Sequence, residues 1–289
     1  MRWPLLLDLE LTNACNLNCL QCWRHDMHRN ITQLDLKIVR KIFRDASRSV
    51  RGIRFIGHGE NLLHPDFFIL ALEAKKLGFL VHLTTNGLLL TPKRIRQLLE
   101  LELDSIVFSF QGTDKEGYEE MRRNKGYDRL CNIIQELVQQ RGKSPLPYVV
   151  VNTTTLDETD EQIEAFRQRW IPIVDEVGHW FTTLERLEHL EHVQNLLPRQ
   201  RIRQAMVGRV RCIEIHTKLS INSDGQACLC CNDYNGELAV GSVYEQGIEQ
   251  LWNSERAQAL RKMIDKDYRS VPFCQKCSNK FNRMDHGND

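Results

Sequence analysis

The stretch Leu5-Leu6-Leu7-Asp8-Leu9-Glu10-Leu11-Thr12-Asn13-Ala14-Cys15-Asn16-Leu17-Asn18-Cys19-Leu20-Gln21-Cys22 decides the fold. Leu5, Leu7, Leu9 and Leu11 share one face of a strand, and Asp8, Glu10 and Thr12 share the other. The leucines are expected to pack on helices, leaving the polar set to face a concave interior. Three thiols follow at once, in the loop that the strand opens into. A short loop can wrap three thiolates around one cluster, because bound iron favours the deprotonated sulfur. Three ligands on a four-iron cluster leave one iron open, which marks a site that binds a small molecule rather than one that only braces a fold. A zinc knuckle completed by His25 or His28, or three unrelated core cysteines, competes with this reading.

Working outward, apolar strands alternate with helical stretches. Strands are expected over 5–11, 52–57, 79–85, 104–110, 148–154 and 176–183, and helices over 35–49, 65–77, 92–101, 114–140 and 160–170. Thr91-Pro92 and the acidic Asp160-Glu161 pair are helix-start signals. Such β/α units imply a parallel sheet, since parallel neighbours need crossover helices. Six units are too few for a closed eight-stranded barrel, so the expected fold is α/β, a partial (β/α)6 TIM-like barrel. On the fifth strand Asn152 and Thr154 oppose Val149, Val151 and Thr153, again giving a polar face to the interior.

The pattern changes beyond about Thr183. Residues 184–211 are charged and read as a helical linker, where His189 and His192 sit among glutamates on a solvated face. A hairpin is expected from 213–221 through Asn222-Ser223-Asp224-Gly225 to 226–231, then a helix over 247–264 and a short tail carrying Cys274 and Cys277. The expected division is therefore 1–183, 184–211 and 212–289.

Composition narrows the function class. At 42% hydrophobic, 27% charged and net charge +1, the chain has no long-range field to recruit nucleic acid or an anionic membrane. No apolar run reaches membrane-span length, and no signal peptide opens the chain, so a cytoplasmic location is expected. Ten cysteines grouped near the two ends, with Cys131 alone between them in a helical pattern, read as metal ligands rather than disulfides.

Cys15-x3-Cys19-x2-Cys22, in the loop after the first strand of a six-unit β/α chain, resembles the radical S-adenosylmethionine (SAM) superfamily. The resemblance implies a [4Fe-4S] cluster on these three cysteines whose open iron chelates SAM and releases a 5′-deoxyadenosyl radical. Gly57-His58-Gly59-Glu60 resembles the family's Gly-Gly-Glu motif, with His58 and Asn61 as departures. Thr84-Thr85-Asn86-Gly87, Ser109 and Gln111, and Arg122 fall where similar proteins contact the cofactor. Arg122 is implied to pair the methionine carboxylate, and Asn152 to contact ribose. Gln21 stands where an aromatic residue is frequent, so adenine stacking is assigned to Trp23 or elsewhere.

Cys212, Gly225, Cys230, Cys274 and Cys277 are similar to the auxiliary-cluster domains called SPASM and twitch, the short twitch form matching best. Four thiolates would close the coordination of a second [4Fe-4S] cluster, suited to moving electrons; a structural four-cysteine zinc is the alternative. Cys228 and Cys231 are left over, either of them able to replace Cys230 or to return a hydrogen atom to a substrate radical. The resemblance extends to twitch-bearing dehydrogenases and epimerases of amino sugars and aminocyclitols, served by a reducing partner such as flavodoxin or ferredoxin. Asp8 and Glu10 are candidates to pair a cationic amine of such a substrate. A peptide-modifying maturase, or a non-catalytic iron–sulfur or zinc protein, are the other readings.

Overall fold

In the computed structural model, which describes residues 2–46, 49–156, 158–181, 212–275 and 277, strand β1 (Leu6–Leu9) lies within one nine-stranded sheet. To one side run β2 (Gly52–Phe55), β3 (Leu80–Thr85), β4 (Ser105–Gln111), β5 (Tyr148–Thr155) and β6 (Glu176–Phe181), each pair of neighbours parallel. The crossovers are α1 (Leu36–Ala46), α2 (Phe67–Lys76), α3 (Pro92–Glu100), α4 (Lys115–Arg122), α5 (Tyr127–Arg141) and α6 (Asp160–Trp170). Thr91 caps α3 by accepting from the Arg94 N–H ahead of Pro92, and Thr159 and Gln162 form a reciprocal capping box on α6. The α/β fold of six parallel units is as expected.

Leu7, Leu9 and Leu11 are fully buried, whereas Leu5, at the strand's open start, is 36% exposed. Val149, Val151 and Thr153 are likewise buried, and Asn152 and Thr154 half-buried on the opposite face of β5. The helix expected over 114–140 is two helices. Arg123 adopts a left-handed φ of 48° that ends α4, and α5 restarts after Gly126. The break leaves Arg122 in the last turn of α4, buried at 5% exposure rather than solvated.

The C-terminal region departs further. Residues expected to begin a strand form a helical turn, α7 (Glu214–Thr217), before β7 (Lys218–Ile221). Gly225, at φ +83°, closes the turn into antiparallel β8 (Gln226–Cys228), and β9 (Ala239–Ser242) extends the ladder. β7 pairs parallel with β1, Asp8 opposite Ser220, so the hairpin continues the barrel sheet. Local alternation identifies a strand but not a partner this remote in sequence. The expected single helix over 247–264 is α8 (Ile248–Trp252) and α9 (Glu255–Asp267), parted at Ser254, whose hydroxyl caps α9. α10 (Pro272–Gln275) carries Cys274. The expected linker 184–211, with His189 and His192, lies outside the described residues. Among the described residues no helix is long and apolar enough to cross a membrane.

Candidate active site at the strand ends

The loop leaving β1 is held open by its asparagines. Asn13 accepts from Thr32 N–H at 2.7 Å and donates to the Asn30 carbonyl at 2.9 Å, while Leu20 N–H donates to the Met121 carbonyl at 2.8 Å. Cys19 is buried, Cys15 and Cys22 half-buried, and all three are free thiols. Cys19 raises both of its neighbours electrostatically, so the three sulfurs share one space. Burial pushes Cys15 up to about 11 and Cys22 upward as well, which keeps a lone thiol protonated until a cationic cluster draws the proton off. The His25 ring is hydrogen-bonded through Nε2 to the Cys19 carbonyl at 2.9 Å. Among the described residues no three His, Cys, Asp or Glu side chains converge on a point that one ion would fill. A four-iron cluster spans more room than one ion.

The loop after β2 presses against this one. Glu60 N–H donates to the Ala14 carbonyl at 2.8 Å, and a Cβ on Gly59 would fall 2.1 Å from the Thr12 carbonyl oxygen. Only glycine permits that approach. A Cβ on Gly57 would collide with Glu10. The Glu60 carboxylate is buried and accepts from Leu62 N–H, Thr85 hydroxyl and Asn86 N–H at 3.2, 2.9 and 2.9 Å. Burial raises its pKa in spite of these donors. Glu60 thereby ties the end of β2 to the end of β3. Asn86 in turn donates to Asn16 Oδ1 at 2.9 Å and stands 4.0 Å from Cys15 Sγ.

Two buried polar atoms supply the fit test for SAM. Arg122 places Nη1 3.7 Å from Cys19 Sγ and hydrogen-bonds the Ser109 carbonyl through Nη2, leaving a buried Nε with no protein partner. Asn152, opposite Ser109 in the ladder, has a buried Oδ1 without a partner, and a Cβ on Gly178 would lie 2.4 Å from it. An unmet guanidinium N–H suits a carboxylate and an unmet amide oxygen suits a hydroxyl, the two groups that SAM would bring. Gln111 accepts from the Thr154 hydroxyl on the same lumen face. The cluster and SAM therefore fit the residues present.

Other expectations are corrected. Asp8 and Glu10 face inward but are not available to a cationic amine. Asp8 is bound by Arg54 Nε at 2.5 Å and Nη2 at 2.8 Å, with Ser220 hydroxyl at 3.5 Å. Glu10 accepts from Arg29 at 2.8 Å, from Ser223 N–H and hydroxyl at 3.0 and 2.9 Å, and from His58 N–H at 2.8 Å. Burial alone would raise the Glu10 carboxyl, but His58, Arg29 and these donors bring it below its usual value. Trp23, a candidate for adenine stacking, stacks one face on Tyr234 at 5.8 Å and 7°. Arg29, Tyr234 and Asn235 carry no motif that marks them in the sequence, and Asn61 shows there only as a departure from the Gly-Gly-Glu pattern. Asn61 accepts from Leu11 N–H at 2.8 Å, pinning the strand end.

In the second group, Cys277 lies within electrostatic reach of both Cys212 and Cys230, bringing the tail near two earlier segments. Cys231 lies against Cys230 and within electrostatic reach of Asp8 and Arg54. Cys228 is fully buried, accepting from Asn222 at 3.5 Å and facing Asp233, whose charge, after burial, drives its thiol well above the ordinary range. Cys131 is core, beside Arg169 at 3.6 Å.

The sequence profile of the Radical SAM superfamily matches residues 9–169, and that of the SPASM iron–sulfur cluster-binding domain matches 212–278. The AdoMet-dependent heme synthase of Methanosarcina barkeri is 31% identical over 307 residues, covering 91% of this chain and 85% of that protein. A tungsten-containing aldehyde ferredoxin oxidoreductase cofactor-modifying protein of Pyrococcus furiosus is 37% identical over 105 residues, 36% of this chain and 30% of its own length. Among solved structures, Streptococcus suis SuiB bound to S-adenosylmethionine aligns with TM-score 0.71 at 17% identity, covering 96% of this chain and 72% of that one. BtrN in complex with AdoMet and 2-DOIA aligns with TM-score 0.60 at 16% identity, covering 92% and 89%. With three thiols after β1, an arginine beside them, and a profile that spans more than half of the residues, the chain belongs to the radical SAM superfamily, uses SAM and a [4Fe-4S] cluster, and carries a SPASM-type iron–sulfur domain.

Proposed function

We propose that the protein is a radical SAM oxidoreductase that dehydrogenates a small hydroxyl-rich substrate of the amino sugar or aminocyclitol class. When bound, the first cluster supplies the electron that cleaves SAM to the hydrogen-abstracting radical, and the auxiliary cluster supplies an acceptor for the electron left on the substrate. Oxidation of a CH–OH carbon then balances as one hydrogen atom to 5′-deoxyadenosine, one proton to solvent and one electron to the auxiliary site, leaving C=O. Arg122 and Asn152 are assigned to orient the cofactor. The lumen-facing Thr84, Ser109, Gln111, Asn152 and Thr154 offer hydroxyls and amides to a polyol.

One observation carries oxidation over epimerisation. The first strand of the hairpin that leads into Cys230 and Cys231, β7, is hydrogen-bonded to β1, and Cys231 is within electrostatic reach of Asp8 and Arg54, which supports an electron acceptor on that segment close to the barrel interior. Cys228, a candidate hydrogen donor, is enclosed by Asn222 and Asp233 instead. Because Asp8 and Glu10 are already paired, an amine is not the group read by those carboxylates.

The test is an anaerobic screen of reconstituted protein with reductant, SAM and candidate amino sugars, aminocyclitols and peptides. One deoxyadenosine per oxidised product is expected, with no deuterium entering the product carbon from heavy water, and with Cys228→Ala still active. Deuterium in an unoxidised product would sink the reading in favour of epimerisation. A heme precursor joins the panel, because a relative matched over most of both chains is described as an AdoMet-dependent heme synthase.

A further inference from the structure

The auxiliary segment does more than carry cysteines: residues 233–235 close over the loop that follows Cys22. Tyr234 stacks on Trp23, and its ring meets His58 edge-on at 5.9 Å. Trp23 follows the third cysteine directly, and His58 lies between Gly57, packed on the Glu10 side chain, and Gly59, packed on the backbone of Thr12 and Ala14. Asn235 bridges the same stretch, accepting from His28 N–H at 2.8 Å and donating to the Asp26 carbonyl at 3.0 Å. Beneath them Arg29, 6% exposed, donates to the Tyr234 carbonyl at 2.7 Å and to Glu10 at 2.8 Å, and reaches Ser223 at 3.4 Å and Asp224 at 3.7 Å. Glu10 returns to His58 N–H. One closed network thus joins both walls of the SAM site to the auxiliary hairpin.

The near end of this clamp is set by the auxiliary site. Asp233 N–H donates to the Cys230 carbonyl at 3.2 Å, and the Asp233 carboxylate holds Glu237 and Leu238 N–H at 2.9 and 2.7 Å. Tyr234 follows Cys230 by four residues, at most about 14 Å of chain, and the turn between them is held by the Asp233 N–H to Cys230 carbonyl bond.

We propose that Tyr234 and Asn235 are positioning residues for SAM: they hold the 23–29 loop against the Gly57–Glu60 loop, so that an ordered auxiliary cysteine segment raises SAM affinity at the first cluster. This rests on the family assignment alone. SAM binding needs no substrate, so failure of the dehydrogenase reading leaves it untouched.

The experiment measures equilibrium SAM binding and the electron paramagnetic resonance change that SAM causes in the reduced, fully reconstituted protein. Tyr234→Ala is expected to keep full iron content, bind SAM about two- to tenfold more weakly and alter that spectral change, the range an aromatic pair supports. Tyr234→Phe, which keeps the ring, should restore both. Cys212→Ser, which opens the auxiliary site from a remote segment, should weaken SAM comparably, and the double variant Cys212→Ser/Tyr234→Ala should lose no more than the larger single effect. Asn235→Ala removes two loop hydrogen bonds without removing a core ring, and is the arm to use if Tyr234→Ala fails to fold; it too should weaken SAM. Wild-type affinity in an iron-replete Tyr234→Ala or Asn235→Ala protein, or fully additive losses in the double variant, would overturn the proposal.

Discussion

Arg122, at the end of α4, sets its Nη1 3.7 Å from the sulfur of Cys19, a residue 103 positions earlier in the chain. The same guanidinium is fastened to Ser109, so a conserved charge but a different shape should not substitute for it. Arg122→Lys is expected to bind SAM about ten- to a hundredfold more weakly, the worth of a charge-assisted hydrogen bond. Isothermal titration under anaerobic conditions checks this, and unchanged affinity would remove Arg122 from the cofactor site.

Gly59→Ala should be costly although it adds one methyl. Its Cβ would sit 2.1 Å from the Thr12 carbonyl and 2.6 Å from that of Ala14, and backbone cannot swing aside as a side chain can. A loss of about 1–3 kcal/mol is expected from the forced separation of the two loops. Iron retention should fall with it. A variant with wild-type melting and iron content refutes the close packing.

Asp8 and Arg54 form a pair whose carboxylate is 2% exposed. Arg54→Met strands the buried charge and should destabilise by about 3–5 kcal/mol, whereas adding Asp8→Asn should recover part of the loss. Denaturant titration of the single and double variants decides it; a single variant of wild-type stability would show that the pair is inert.

His82 stands in the same layer, bonded to Ser105 at 2.8 Å and Thr84 at 2.9 Å. Burial, with the charge of Arg54, lowers its pKa to about 4 from 6.5. The unfolded chain therefore takes up a proton at this residue before the folded chain does, and stability falls as pH drops from 6.5 towards 4. The share belonging to His82 approaches about 3 kcal/mol at the acid end. His82→Gln should flatten that limb of the stability–pH curve, and an unchanged slope would reassign the acid sensitivity.

Much of the architecture was legible because its signals are local. Alternating leucines, Thr91-Pro92 and the spacing of Cys15, Cys19 and Cys22 each act within a few residues, and β1, α3 and the metal loop follow from them. The break at Arg123 was hidden, since no glycine marks the left-handed residue that ends α4. Inward-facing Asp8 and Glu10 could be read as polar and lumenal, but not as already neutralised, because Arg54 and Arg29 approach from other segments.

What the residues determined by themselves is the periodicity of each element, the polar lining of the lumen and the thiols able to grip iron, all consequences of side-chain chemistry at short range. Only tertiary structure decided that β7 joins β1, that Tyr234 covers Trp23, and that Arg122 reaches Cys19. Those partners lie far apart along the chain, and their meeting depends on how whole strands and helices pack, a property that no single segment carries.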